Sequence, residues 1–191
     1  MNKIILASKS PRRSLLLTWA EVPFEVISSD CLEEYPPGLK PEEVAIHIAK
    51  DKALAVKQQL ADINSKHTIP ILAADTIVVL NERIIGKPAS IQEAILTLQE
   101  LSGKVHEVIT GVCILHGDTE IIFSDTTLVE FHSLAFQQIK YYVEKFKPLD
   151  KAGGYAIQEW IGVIGIKSIT GDFYNVMGLP VSKVLVELER L

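Results

Sequence analysis

The chain has 191 residues, 48% of them hydrophobic and 23% charged, and a formal net charge of -5. That balance argues against disorder, since there is enough apolar side chain to offset chain entropy, and against a surface coated for nucleic acid, which leaves a basic excess. No apolar run approaches the ~18 residues of a membrane span, and Cys31 and Cys113 stand too far apart in the sequence to suggest a disulfide scaffold or a metal-ligand spacing.

Lys3 to Ala7 reads as a first buried strand, too short for a signal-peptide core, so a cytoplasmic protein is expected. Ser8-Lys9-Ser10-Pro11-Arg12-Arg13 follows and opens a helix to about Ala20, with Ser10 as N-cap and Pro11 at the first helical position. Arg12 and Arg13 then lie in a first turn whose dipole disfavours cations. Either an anion such as a phosphate occupies that turn, or the pair is salt-bridged to an acidic loop. Phe24 to Ser28 suggests a second strand, and Asp30 to Pro41, rich in Pro, an irregular loop in which Glu33 and Glu34 offer oxygen ligands.

From Pro41 to about Leu60, apolar residues recur at helical spacing. Lys52 falls on that apolar stripe, either snorkelling to its rim or aimed into a cleft. Ile69 to Leu80 is strand-like, and Asp75-Thr76 interrupts it. Burying an unpaired Asp there is costly, so Asp75 has either a structural partner or a catalytic or cation-binding task. Gly86-Lys87-Pro88 supplies an exposed cation. Ser90 and Glu93 form a capping box for a helix that ends near Gly103.

Val105 to Leu115 and Glu120 to His132 read as strands joined by a hairpin turn, and Ala135 to Lys145 as an amphipathic helix. Asp150-Lys151-Ala152-Gly153-Gly154-Tyr155 gathers acid, base and glycines. A strand is expected near Val163 to Ile169, and a terminal helix with Pro180 at its first position. The hairpin-like neighbours imply a mixed α/β sheet rather than a purely parallel one.

No catalytic signature of common type is present. Gly86-Lys87 and Gly103-Lys104 lack the upstream glycine of a P-loop, and His106-Glu107 has Thr110 where a zinc-protease helix has its second His. The clustered Arg and Lys with several carboxylates instead suit a divalent metal and a polyphosphate.

Leu6-Ala7-Ser8-x-Ser10-Pro11-Arg12-Arg13, Ala74-Asp75-Thr76, Gly86-Lys87-Pro88, Ser102-Gly103-x-x-His106-x-Val108-x-Thr110-Gly111, Asp150-Lys151-Ala152-Gly153-x-Tyr155-x-Ile157-Gln158 and Asn175-Val176-x-Gly178-Leu179-Pro180 stand in this order from end to end. Together they resemble the Maf family. The resemblance implies a single domain over residues 1–191: an elongated mixed β-sheet flanked by helices, with two lobes, a central cleft and an inosine-triphosphatase-like fold.

It also implies a nucleoside triphosphate pyrophosphatase that uses Mg²⁺ or Mn²⁺, is often a homodimer, and acts on a nucleotide rather than on nucleic acid or membrane. By position, Asp75 matches the family's general base or a metal ligand, and Lys52, Lys87, Arg13, Ser8 and Glu34 its charged pocket, with Glu34 the second metal ligand. Ser10 and Lys151 join the expected substrate-binding groups. Arg12, Thr76 and Gln158 match the branch that takes dTTP and UTP, where a 7-methyl-GTP branch carries Trp, Gln and Glu. A regulator of cell division that binds nucleotide, with hydrolysis secondary, is the alternative.

Overall fold

The computed structural model describes residues 3–28, 31, 33–61 and 69–191. Asp30, the expected start of the Pro-rich loop, lies outside the described residues. The strands are β1 (Ile4–Leu6), β2 (Phe24–Val26), β3 (Ile71–Leu80), β4 (Arg83–Ile85), β5 (Val105–His116), β6 (Thr119–Phe131) and β7 (Ile166–Thr170). The helices are α1 (Pro11–Trp19), α2 (Pro41–Ala61), α3 (Ile91–Leu101), α4 (Phe136–Phe146), α5 (Trp160–Gly165), α6 (Phe173–Met177) and α7 (Val181–Leu188), with a 3₁₀ turn at Ala152–Gly154.

Among the described residues these strands form one seven-stranded sheet, ordered β2-β1-β3-β5-β6-β7, with β4 on β3. It is mixed, as expected: β1 pairs parallel with β2 and β3, whereas β3 with β4 and β6 with β7 are antiparallel. The chain divides into two compact units, and β3, β5 and β6 each contribute residues to both.

The first unit comprises Met1–Asp75, Thr110–Asp125 and Gly178–Leu191. Its core joins Ile5 and Ala7 of the first strand region to Ala49, Ala53, Val56 and Leu60 of α2 and to Ile71, Ala73, Cys113 and Leu115. Alanines on the buried face of α2 let it approach the sheet closely. At Gly111 in β5 a Cβ would stand 2.2 Å from the Ala45 carbonyl carbon, so helix backbone meets strand backbone there.

The second unit comprises Thr76–Ile109 and Thr126–Met177. Here α3 buries Ala94, Ile95, Leu98 and Leu101, and α4 buries Ile139, Tyr142 and Val143. Ser90 caps α3 by accepting the Glu93 N–H at 3.1 Å, and the Glu93 carboxylate takes the Ala89 N–H at 2.8 Å. Gly103, at φ 72°, follows as the left-handed stop.

Two expectations are corrected, and a third holds without its side-chain bond. Val163 belongs to α5, so the strand begins only at Ile166. Pro180 is the N-cap of α7 rather than its first helical residue. Ser10 stands at the N-cap of α1, yet its side chain makes no cap bond; its own N–H donates to Ser8 Oγ at 3.2 Å.

Candidate active site

The first unit assembles a charged cluster at the end of β1, the start of α1 and the middle of α2 and β3. β1 is apolar and buried throughout, and the chain leaves it at Ser8 to enter α1. The helical period then turns Arg13 inward with Leu16 and Leu17, which fixes a guanidinium in the interior at 8% exposure. At least two of its five N–H donors are engaged within the protein: Nε donates to the Gly178 carbonyl at 2.8 Å and a terminal nitrogen to Ser8 Oγ at 3.1 Å. Burial is the largest influence on this group and pulls its pKa down from the arginine value, while Asp75 and Glu33 push it back up and Arg12 pulls it down. The opposing influences of Asp75, Glu33 and Arg12 place all three in the electrostatic neighbourhood of Arg13.

β3 carries Asp75 as the polar interruption of a buried run, with 6% of its surface exposed. Its charge is met by Lys52, whose Nζ donates to Asp75 Oδ1 at 2.6 Å and to Glu33 Oε1 at 2.8 Å. Lys52 therefore leaves the apolar stripe of α2 and points at carboxylates. Both open questions about these residues resolve into one: Lys52 and Asp75 are partners. A desolvated carboxylate with a fixed ammonium and a buried guanidinium nearby suits the handling of water and phosphate oxygens.

The carboxylate that meets Lys52 is that of Glu33, next to the expected Glu34, which is exposed on the same loop. The loop reading named both residues; only side-chain geometry separates them. The Gly178 carbonyl as an Arg13 acceptor had no signal in the sequence, because 165 positions separate the two.

The other expected residues lie in the second unit. Thr76 follows Asp75 in β3 and is half-buried, and Lys87 is exposed just after β4. The Gly153 N–H donates to the Gly86 carbonyl at 3.1 Å, which ties the Gly86-Lys87-Pro88 loop to the glycine-rich segment. Lys151, expected among the substrate-binding groups, is as buried as Arg13 and stands 2.8 Å from Asp150 Oδ1 and 3.6 Å from Glu159 Oε1. Its ammonium is taken up by carboxylates of its own segment. Gln158 is exposed at the corner of a turn closed by the Glu159 N–H donating to the Ala156 carbonyl at 3.1 Å.

Beneath that segment His106 is 2% exposed, with Nε2 2.7 Å from Tyr155 Oη and its ring stacked on Phe131. Burial pulls its pKa from 6.5 down to about 4, so the ring is neutral at pH 7. Burial likewise drives the Tyr155 hydroxyl above the ordinary tyrosine value. Both groups are structural features of the second unit, their rings meeting edge to face with one shared hydrogen bond.

Among the described residues no group of three His, Cys, Asp or Glu side chains gathers for a metal, and no helix is long and apolar enough to cross a membrane. Asp75 and Glu33 still fit a hard divalent cation: they are oxygen donors held on one ammonium, and Mg²⁺ needs only one or two protein carboxylates when phosphates supply the rest.

The family described as Maf-like protein matches residues 3–191. A dTTP/UTP pyrophosphatase of Parabacteroides distasonis is 48% identical over 98% of this chain and 95% of its own length. One of Cytophaga hutchinsonii is 50% identical over 98% of this chain and 84% of its own. Among solved structures, the Ham1 protein of Staphylococcus aureus matches at 17% identity and a TM-score of 0.47, over 98% of this chain and 100% of that one.

Proposed function

This chain belongs to the Maf-like family, and from that premise we propose that it hydrolyses dTTP and UTP to the nucleoside monophosphate and pyrophosphate. Relatives of 45–50% identity that carry the name dTTP/UTP pyrophosphatase support the substrate class. The observation that carries the chemistry is Asp75, buried in an apolar strand and held by Lys52 at 2.6 Å.

In this reading Asp75 orients and deprotonates the water that attacks the α-phosphorus; the α–β anhydride bond breaks and pyrophosphate leaves. Lys52 fixes the carboxylate's orientation. Arg12, Arg13 and Lys87 balance charge on the triphosphate, with Ser8 setting the Arg13 guanidinium and Ser10 offering its hydroxyl to the phosphates. A divalent cation, Mg²⁺ or Mn²⁺, held by Asp75 and Glu33, supplies Lewis-acid polarisation of phosphate oxygens when bound. Gln158 reads the base, because its amide both donates and accepts as a uracil or thymine edge requires; Arg12 and Thr76 complete the specificity set. A homodimer in the cytoplasm is part of the same proposal.

The experiment is pyrophosphate release from dTTP, UTP, CTP and 7-methyl-GTP with each metal. Release from dTTP and UTP in preference to the other two is expected. Preference for 7-methyl-GTP, or no release from any of them, overturns the assignment.

A further inference from the structure

The glycine-rich segment ends in a four-residue turn, Ala156 to Glu159, with Ile157 buried and Gln158 exposed at its corner. One hydroxyl grips this turn at both ends. Tyr142, fully buried in α4, donates from Oη to Glu159 Oε2 at 2.5 Å and accepts the Ala156 N–H at 3.1 Å. Lys151 stands 3.6 Å from the other Glu159 oxygen, so the carboxylate is held from two sides. It is therefore committed to tertiary contacts: Glu159 is the N-cap residue of α5, yet its side chain makes no cap bond there.

A second restraint acts on the backbone of the turn itself. A Cβ on Gly162 would lie 1.7 Å from the Ile157 carbonyl oxygen, so α5 is pressed directly onto the turn backbone. The residue at the corner thus lies between backbone held by Tyr142 at Ala156 and Glu159 and by α5 at Ile157.

We propose that Tyr142 is a positioning residue for base recognition, stapling both ends of the Ala156–Glu159 turn so that Gln158 presents its amide at a fixed place. This rests on the base-reading role assigned to Gln158 above. The need for such a staple follows from the amide's symmetry. Turned by 180°, the amide pairs with cytosine instead of uracil, so discrimination requires that it be held in one orientation as well as one place, and small displacements of positioning groups are costly.

The test is kcat and KM for UTP and CTP, with thermal midpoints, in wild type, Tyr142→Phe, Gln158→Ala, the double variant, Glu159→Gln and Glu159→Ala. Tyr142→Phe removes both hydrogen bonds and keeps the ring. It is expected to lower the UTP-to-CTP ratio of kcat/KM by about 3- to 10-fold, the span of a net hydrogen bond or two, mainly through the KM for UTP. In the double variant the ratio should match that of Gln158→Ala alone. Glu159→Gln, which still accepts from Tyr142, should keep the wild-type ratio, and Glu159→Ala should lose it; this pair carries the test if Tyr142→Phe does not fold.

A ratio unchanged in Tyr142→Phe and Glu159→Ala, with Gln158→Ala lowering it, overturns the positioning role and leaves the base-reading role standing. A ratio unchanged in Gln158→Ala removes the base-reading role, and the inference with it.

Discussion

Lys52 answers two carboxylates with one ammonium, and that imbalance defines the residue-scale chemistry of the first unit. Replacing Asp75 with Asn keeps a hydrogen-bond acceptor for Lys52 while removing the proposed base. The Asp75→Asn variant should keep the wild-type circular dichroism spectrum and lose about 10²- to 10⁴-fold in kcat, the span of a lost general base; steady-state pyrophosphate release from UTP checks it. The second residue-scale prediction concerns His106. Its folded pKa, about 4, lies below the ordinary 6.5, so between these values the unfolded chain binds the extra proton. The stabilising contribution is present in full above pH 6.5 and is lost as pH falls toward 4, at most about 3 kcal/mol. Urea unfolding from pH 7 to 4.5 should show that slope, and His106→Gln, which cannot titrate, should flatten it. At this scale the sequence announced chemistry better than partners. Asp75 and Lys52 stood out because each violates the pattern of its own element, a polar break in a strand and a cation on an apolar stripe. Tyr142 and Glu159 conform to theirs, so nothing local marked them. Lys151 pairs with Asp150 and Glu159 of its own segment, which spacing alone does not reveal.

The elements that periodicity predicted are those long enough for a pattern to accumulate. α2 spans 21 residues and β5 and β6 span 12 and 13, and all three stand close to where apolar spacing placed them. β4, α5 and α6 have three, six and five residues, less than two helical turns or a full alternation, and went unread. Val163 and Ile164 suggested strand by β-branching, but Gly162 lets α5 pack on the Ile157 carbonyl of the preceding turn, and that local backbone contact outweighs propensity. Gly111 shows the same logic at a larger element. Gly111→Ala forces a Cβ to 2.2 Å from α2 backbone, which cannot move without dislodging the helix that carries Lys52. The expected cost is about 3 kcal/mol or more, read as a drop in the urea midpoint. Gly86→Ala, where a Cβ meets nothing within 4 Å, should change stability by less than about 0.5 kcal/mol.

A whole-chain charge of -5 repels a triphosphate at a distance, so affinity must arise from the few cations gathered at close range, which screening affects least. Arg13 and Lys52 reach their places through segments far apart in sequence, and three strands run through both compact units. Neither unit is a continuous stretch of chain, and the backbone passes from one to the other within β3, β5 and β6. Thermal unfolding should therefore be a single transition, with calorimetric and van't Hoff enthalpies equal; two resolved transitions would show units that fold independently. Nucleotide binding should move that single transition as a whole. In Asp75→Asn, which is expected to hold substrate without turning it over, UTP with Mg²⁺ at 100 times its Kd should add about 2.7 kcal/mol. For a chain of this length that is a rise of roughly 5–10 °C in Tm. On the base-reading role proposed for Gln158, CTP at the same concentration should raise Tm less, the triphosphate being the same and the base edge different. Equal shifts from UTP and CTP would place all of the binding energy on the phosphates and leave base selection to the chemical step.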